Sequence, residues 1–172
     1  MRTPGTDAMW AAFRAAHPEA PDRHDVTSFG DSPAMADELA DLVLWGPKRA
    51  TAGLLRDFER EGEPLPAVGG HVLFTRAGGA PAGIWRTTEV RVGPLSSVDE
   101  AFAWDEGEGD RTRVGWLDAH RSFFRRQAER EGFAFSDDLP TVFERFDSSG
   151  RLAPDPLRGP SPQPRALGVT PA

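Results

Sequence analysis

The spacing of hydrophobic positions changes several times along the chain. Met9, Trp10, Phe13 and Ala16 recur at i, i+1, i+4 and i+7, which predicts a short amphipathic helix ending near His17-Pro18. Ser32 followed by Pro33 supplies an N-cap and a first-turn proline. They open a firmer helix in which Met35, Leu39, Leu42 and Val43 keep helical spacing until Gly46 stops it. Pro47 to Thr51 reads as a turn between elements, and Leu54, Leu55 and Phe58 indicate another short helix up to Gly62.

From Gly69 the period shortens to that of strands. His71 to Thr75 and Ile84 to Val92, split by the turn-rich Ala77-Gly78-Gly79-Ala80-Pro81, predict a hairpin. Ser97-Val98-Asp99-Glu100 has the form of a capping box opening a helix through Phe102 and Trp104, which Glu106-Gly107-Glu108-Gly109-Asp110 ends. Trp116, His120, Phe123, Phe124 and Ala128 share one face of a longer helix that Gly132 caps. Strands at Phe133 to Phe135 and Thr141 to Phe146 complete the pattern. Pro, Arg, Gly and Ser then dominate, so residues 149–172 are expected to form a flexible tail. The expected organisation is a helix and loop over residues 1–27, packed on a domain spanning 28–148. Short strands and helices without regular alternation predict an α+β fold around a small barrel or sheet.

At 172 residues the chain is the size of one domain, and no apolar run approaches the roughly 20 residues of a membrane span. Charges are scattered through Met1 to Ala20, unlike a signal peptide, so a cytoplasmic location is expected. There is no cysteine, and His17, His24, His71 and His120 are dispersed, so neither a metal nor another cofactor is expected. A net charge of −7 opposes coating of nucleic acid by bulk electrostatics, while leaving room for a local basic patch. Lys48 is the single lysine beside nineteen arginines in what reads as a GC-rich coding bias. A lysine retained against that bias marks a position where an amine differs from a guanidinium, although Ile84 is equally solitary without evident chemistry.

Three constellations carry candidate chemistry. In Gly46-Pro47-Lys48-Arg49-Ala50-Thr51 an amine lies three positions from a hydroxyl. Desolvated, such a lysine takes a proton from Thr51; as an ammonium it holds an oxyanion or phosphate; in a solvated turn it does neither. Glu106, Glu108 and Asp110 alternate with glycines that allow close backbone approach, for acid–base work, as a plain acidic turn or, against the missing ligand pattern of a calcium loop, for a metal. If Glu106 lies beside Lys48, its charge opposes any use of the amine as a base. Arg111, Arg113, Arg121, Arg125, Arg126 and Arg130 form a ridge suited either to a phosphate backbone or to ordinary solvation with i, i+4 pairing. Trp45, Trp85 and Trp104 are candidates for stacking on a base or for the core. His120, one turn after Trp116, reads as a packed, hydrogen-bonded histidine.

In sequence these segments resemble the ASCH (activating signal cointegrator homology) family of the PUA-like superfamily, small β-barrels flanked by α-helices. The resemblance covers about residues 10–147. It rests on Phe29-Gly30-Asp31, Ala36 to Ala40 with Leu42-Val43, Gly46 to Ala52, Gly62 to Pro66, Arg86 to Val90, Phe102-Ala103 with Glu106 to Asp110, Trp116 with His120 and Phe123-Phe124, and Glu144-Arg145-Phe146. It departs from the family pattern at Gly69-Gly70, at Leu117 and in having no tyrosine. The resemblance implies a cleft for single-stranded RNA or a nucleoside or nucleotide ligand. Its expected catalytic residues are Lys48, Thr51 and Glu106, with Arg49, Trp45, Glu108, Asp110 and Arg111 as ligand contacts. Members similar to an N4-acetylcytidine amidohydrolase imply amide hydrolysis, and others imply cleavage of single-stranded RNA. A binding module without catalysis is the alternative.

Overall fold

The structure, a computed structural model, describes residues 2–151. Five strands, β1 (Asp25–Ser28), β2 (Ala50–Leu54), β3 (His71–Thr75), β4 (Pro81–Pro94) and β5 (Pro140–Arg151), form one sheet in the order β1-β3-β4-β5-β2. The pairing is antiparallel except between β1 and β3. Register shifts at Ile84/Trp85 and Thr87/Glu89 let the long β4 bend along β5, and that bend curls the sheet into a half-barrel. Five helices surround it: α1 (Pro4–Ala16), α2 (Pro33–Leu44), α3 (Leu55–Glu61), α4 (Glu100–Glu106) and α5 (Arg113–Glu131). The fold is α+β, as expected. Among the described residues no helix is long and apolar enough to cross a membrane.

Strand alternation decides which helix lies on which face. Leu73 and Ile84 point to one side of the sheet and pack with Met9 and Trp10 of α1, whose N-terminus is closed by reciprocal Thr3–Thr6 hydrogen bonds. Val72, Phe74 and Trp85 point to the other side and meet Leu39, Val43 and Leu44 of α2. A third cluster joins Phe102 and Ala103 of α4 and Trp116, Leu117 and Phe124 of α5 to Ala50, Leu54 and Phe143.

The structure corrects several expectations. Thr51 lies not in a turn but in β2, where it pairs with Glu144. The segment before Ser32 contains the edge strand β1, and Phe133 to Phe135 connect α5 to β5 without forming a strand. The cap of α4 is Asp99, which accepts from Phe102 N at 2.7 Å, in place of Ser97. β5 continues to Arg151, into the segment expected to be tail; the tail beyond 151 lies outside the described residues.

Candidate functional site

Lys48 is placed by the end of α2. Trp45 N and Gly46 N close the last turn on Asp41 O and Leu42 O, and Lys48 N donates back to Leu42 O. The next residue joins two elements: Arg49 N donates to Asp105 O of α4, and Arg49 O accepts from Phe146 N of β5. Arg145 of β5 reinforces α4 through Asp105, Nε to Oδ2 at 2.9 Å. The chain between α2 and β2 is thereby held against the C-terminal end of α4, which carries Glu106.

The result is a buried ionic cluster. Lys48 and Glu106 are each 1% exposed. Lys48 Nζ lies 2.5 Å from Glu108 Oε1, 3.5 Å from Glu106 Oε1 and 5.6 Å from the centre of the Phe29 ring. On the far side of Glu106, His120 Nε2 is 3.6 Å from Oε2. Burial works to raise the Glu106 carboxyl, but the Lys48 charge and His120 outweigh it and hold the group below the usual carboxylate range. The His120 ring stacks on Trp116 with centroids 3.6 Å apart, and its Nδ1 is 3.0 Å from the Trp116 carbonyl. A carbonyl only accepts, so Nδ1 carries the proton there and Nε2 faces Glu106. Glu106 Oε2 is buried with no hydrogen-bond partner among the described residues, an atom left for a ligand or a transferred proton.

These groups line a cleft of about 290 Å³ together with Phe29, Thr51 and Arg126. A larger cleft of about 440 Å³ adjoins it, bounded by β1, β2, α3 and α5. Phe29, Gly30, Thr51, Ala52 and Phe123 line both, so the two form one groove with Thr51 between the compartments. Among the described residues no three metal-ligating side chains converge.

Lys48, Thr51, Glu106 and Glu108 therefore meet at one cleft, and the remaining expected contacts lie elsewhere. Arg49 donates to the carbonyls of Lys48 and Val43, stiffening the turn. Trp45 is 58% exposed beyond α2 and lines neither cleft. Asp110 accepts from Thr112 N and Oγ1 ahead of α5. Arg111, at a φ of 61°, stacks its guanidinium 3.7 Å from the Trp104 ring and donates to Trp104 O, which fastens the acidic loop. Half of the arginine ridge is ion-paired, Arg121 on Asp137 and both Arg126 and Arg130 on Asp31, while Arg111 and Arg113 donate to backbone carbonyls and Arg125 lies over the Phe135 ring. His120 and Glu144 are the site residues to which the sequence assigned no site role. His120 is packed as expected, but it also faces the cleft. Nothing in the spacing around Glu144 distinguished it from an ordinary strand residue.

The sequence model of the ASCH domain family matches residues 25–148. The chain belongs to the ASCH domain family. This ASCH domain is similar to the crystal structure of a protein from Enterococcus faecalis V583, at 31% identity and a TM-score of 0.76 over 84% of this chain and 88% of that one. It is also similar to an ASCH domain from Lactobacillus crispatus JV V101, at 30% identity and a TM-score of 0.75 over 85% and 94% of the two chains. No curated protein matches the sequence.

Proposed function

We propose that this ASCH domain is a hydrolase acting on a small nucleoside-like amide, an N-acylated base, in the cleft around Lys48. The observation that carries the reading is the buried Lys48–Glu106–Glu108 cluster on the wall of a cleft that also holds the Thr51 hydroxyl. Buried ion pairs contribute little net stability compared with apolar packing, so a cluster of them facing a cleft points to chemistry. One lysine against two glutamates leaves the cluster one formal negative charge, and Arg126 at the rim is paired with Asp31. That balance suits an uncharged ligand better than a polyphosphate strand.

In this reading Lys48, paired with two carboxylates, is a cation. It donates to the carbonyl oxygen of the scissile amide as negative charge develops there. Thr51 Oγ forms the new bond to the carbonyl carbon as the C–N bond breaks, and the Glu106–His120 pair takes the hydroxyl proton and returns it to the departing amine; water, deprotonated by the same pair, then cleaves the Thr51 ester, releasing the carboxylic acid and restoring the hydroxyl. The test is mass spectrometry of N4-acetylcytidine, free and within a single-stranded RNA oligomer, incubated with the wild type and with Lys48→Met. Loss of the acetyl mass that the variant abolishes is the expected result. Oligomer fragments would replace the reading with a ribonuclease, and unchanged substrates with a binding module.

A further inference from the structure

The larger compartment has a polar floor that the proposed chemistry does not use. Glu144 is 5% exposed and lines that compartment directly opposite Thr51 across the β2–β5 pairing. Its Oε1 accepts two buried donors, Trp85 Nε1 at 2.9 Å and Thr87 Oγ1 at 2.6 Å. These two bonds use the lone pairs of Oε1, so Oε2 is the oxygen with bonding capacity left for an occupant of the cleft. Phe29, Phe58, Phe123, Val72 and Trp85 give the same compartment flat or apolar surface, beside charged groups from β1, α3 and α5.

We propose that this compartment binds a planar, uncharged heterocycle, with Glu144 donating from Oε2 to a ring nitrogen or carbonyl on its edge. The inference deepens the hydrolase reading and rests on it, because the groove then seats a base beside Glu144 and presents its acyl substituent past Thr51 to Lys48. A compartment of about 440 Å³ lies within the range typical of small-ligand sites. A donor at Oε2 requires the carboxyl to keep its proton, and the surroundings act in that direction. Burial pushes the group up from the usual carboxylate range against the Thr87 and Trp85 hydrogen bonds, and the Asp25 charge on β1 pushes the same way. The cations lining the cleft are ion-paired, Arg60 of α3 with Asp57 and Glu131 of the same lining, and Arg130 of α5 with Asp31. Glu61 and Glu63 on the rim add negative charge, and the neighbour from β2, Thr51, carries none.

The Trp85 indole proton, bonded to Glu144, offers a readout independent of turnover. Cytidine, uridine, adenosine and guanosine are titrated to about 10 mM into wild type, Glu144→Gln, Glu144→Leu and Lys48→Met while that proton is followed by NMR. At least one nucleoside is expected to shift it in the wild type. Glu144→Gln, which keeps an acceptor for Trp85 and Thr87 and an N–H toward the cleft, should bind within about threefold of wild type, and Glu144→Leu at least about tenfold more weakly. Glu144→Gln binding as poorly as Glu144→Leu would overturn the donor assignment. Wild-type affinity in a folded Glu144→Leu, or no nucleoside shifting the resonance, would overturn the subsite. The two readings fail separately. Nucleoside binding that depends on Glu144, without Lys48-dependent deacylation, removes the hydrolase and keeps the subsite. Deacylation with nucleoside affinity indifferent to Glu144 does the reverse.

Discussion

The α-carbon of Gly107 lies against the backbone of Lys48: a β-carbon on Gly107 would sit 2.8 Å from Lys48 N and 3.0 Å from its Cα. Gly107 also has a φ of 73°, ending α4 in the left-handed region. Only a glycine satisfies both demands, so the acidic loop can fold back over the lysine. Gly107→Ala adds about 1–2 kcal/mol of backbone strain, and the steric overlap comes on top. The expected outcome is a lower melting temperature together with loss of ligand binding greater than the stability change explains. Thermal denaturation and binding measured on the same sample check it.

Removing the lysine itself tests the ionic cluster. Lys48→Ala leaves Glu106 buried without its counter-charge, and breaking a buried pair from one side costs about 3–5 kcal/mol. Glu106→Gln in the Lys48→Ala background removes the uncompensated charge while keeping the shape, and should recover a large part of that loss. Urea denaturation of the two single variants and the double variant measures the coupling. Additive losses would contradict a charge interaction between these residues.

What was readable in the sequence, and what was not, follows from which forces act locally. The caps of α2 and α5, Ser32 and Gly132, and the apolar faces they bound are local signals, and they fixed those helices. Ala50-Thr51-Ala52-Gly53-Leu54 has no alternating large side chains, and it becomes a strand only because β5 supplies its hydrogen-bond partners. The four-residue β1 is likewise made by its pairing with β3. For the site, Lys48, Thr51 and Glu106 were readable through family resemblance. Glu144 stood in a matching segment without a role, because its character comes from burial and from donors 57 and 59 positions away in the chain. Arg111 illustrates the opposite error: adjacent to the acidic loop in sequence, it serves the loop's own conformation through Trp104.

The N-terminal helix carries a pH-dependent contact. His24 stacks on Trp10 at 4.3 Å, and His71 faces Trp10 and Phe13. Burial first, then the charge of Arg2 for His24 and of Arg86 for His71, pushes both rings below the ordinary value of 6.5. The unfolded chain therefore binds more protons than the folded one from about pH 6.5 down to the folded values, so stability rises with pH across that window and falls on acidification. His24→Phe and His71→Phe keep an aromatic ring without the titration. The difference in urea midpoint between wild type and each variant should change with pH below about 6.5 and level off above it. A difference constant from pH 5 to pH 8 would show that neither ring is held neutral by the fold.

The paired arginines predict how RNA interacts with this surface. A phosphate-tracking face releases about 0.7 counterions per phosphate neutralised on a single strand, which appears as the slope of log affinity against log salt. Arg126 and Arg130 both contact Asp31, Arg121 is held by Asp137 and Arg113 is tied to the Val98 and Ser96 carbonyls, so most cations on α5 must break a contact before they replace counterions. The expected slope for an unmodified single-stranded RNA is shallow, corresponding to about one or two phosphates, with weak affinity even at low salt. Asp31→Asn frees two guanidinium groups beside the cleft and should steepen the slope by about one while raising affinity. Filter binding across a salt series on wild type and Asp31→Asn measures both. A steep slope already present in the wild type would mean that the ridge tracks phosphates despite its ion pairs, and would move the functional reading from an uncharged nucleoside amide toward the RNA backbone.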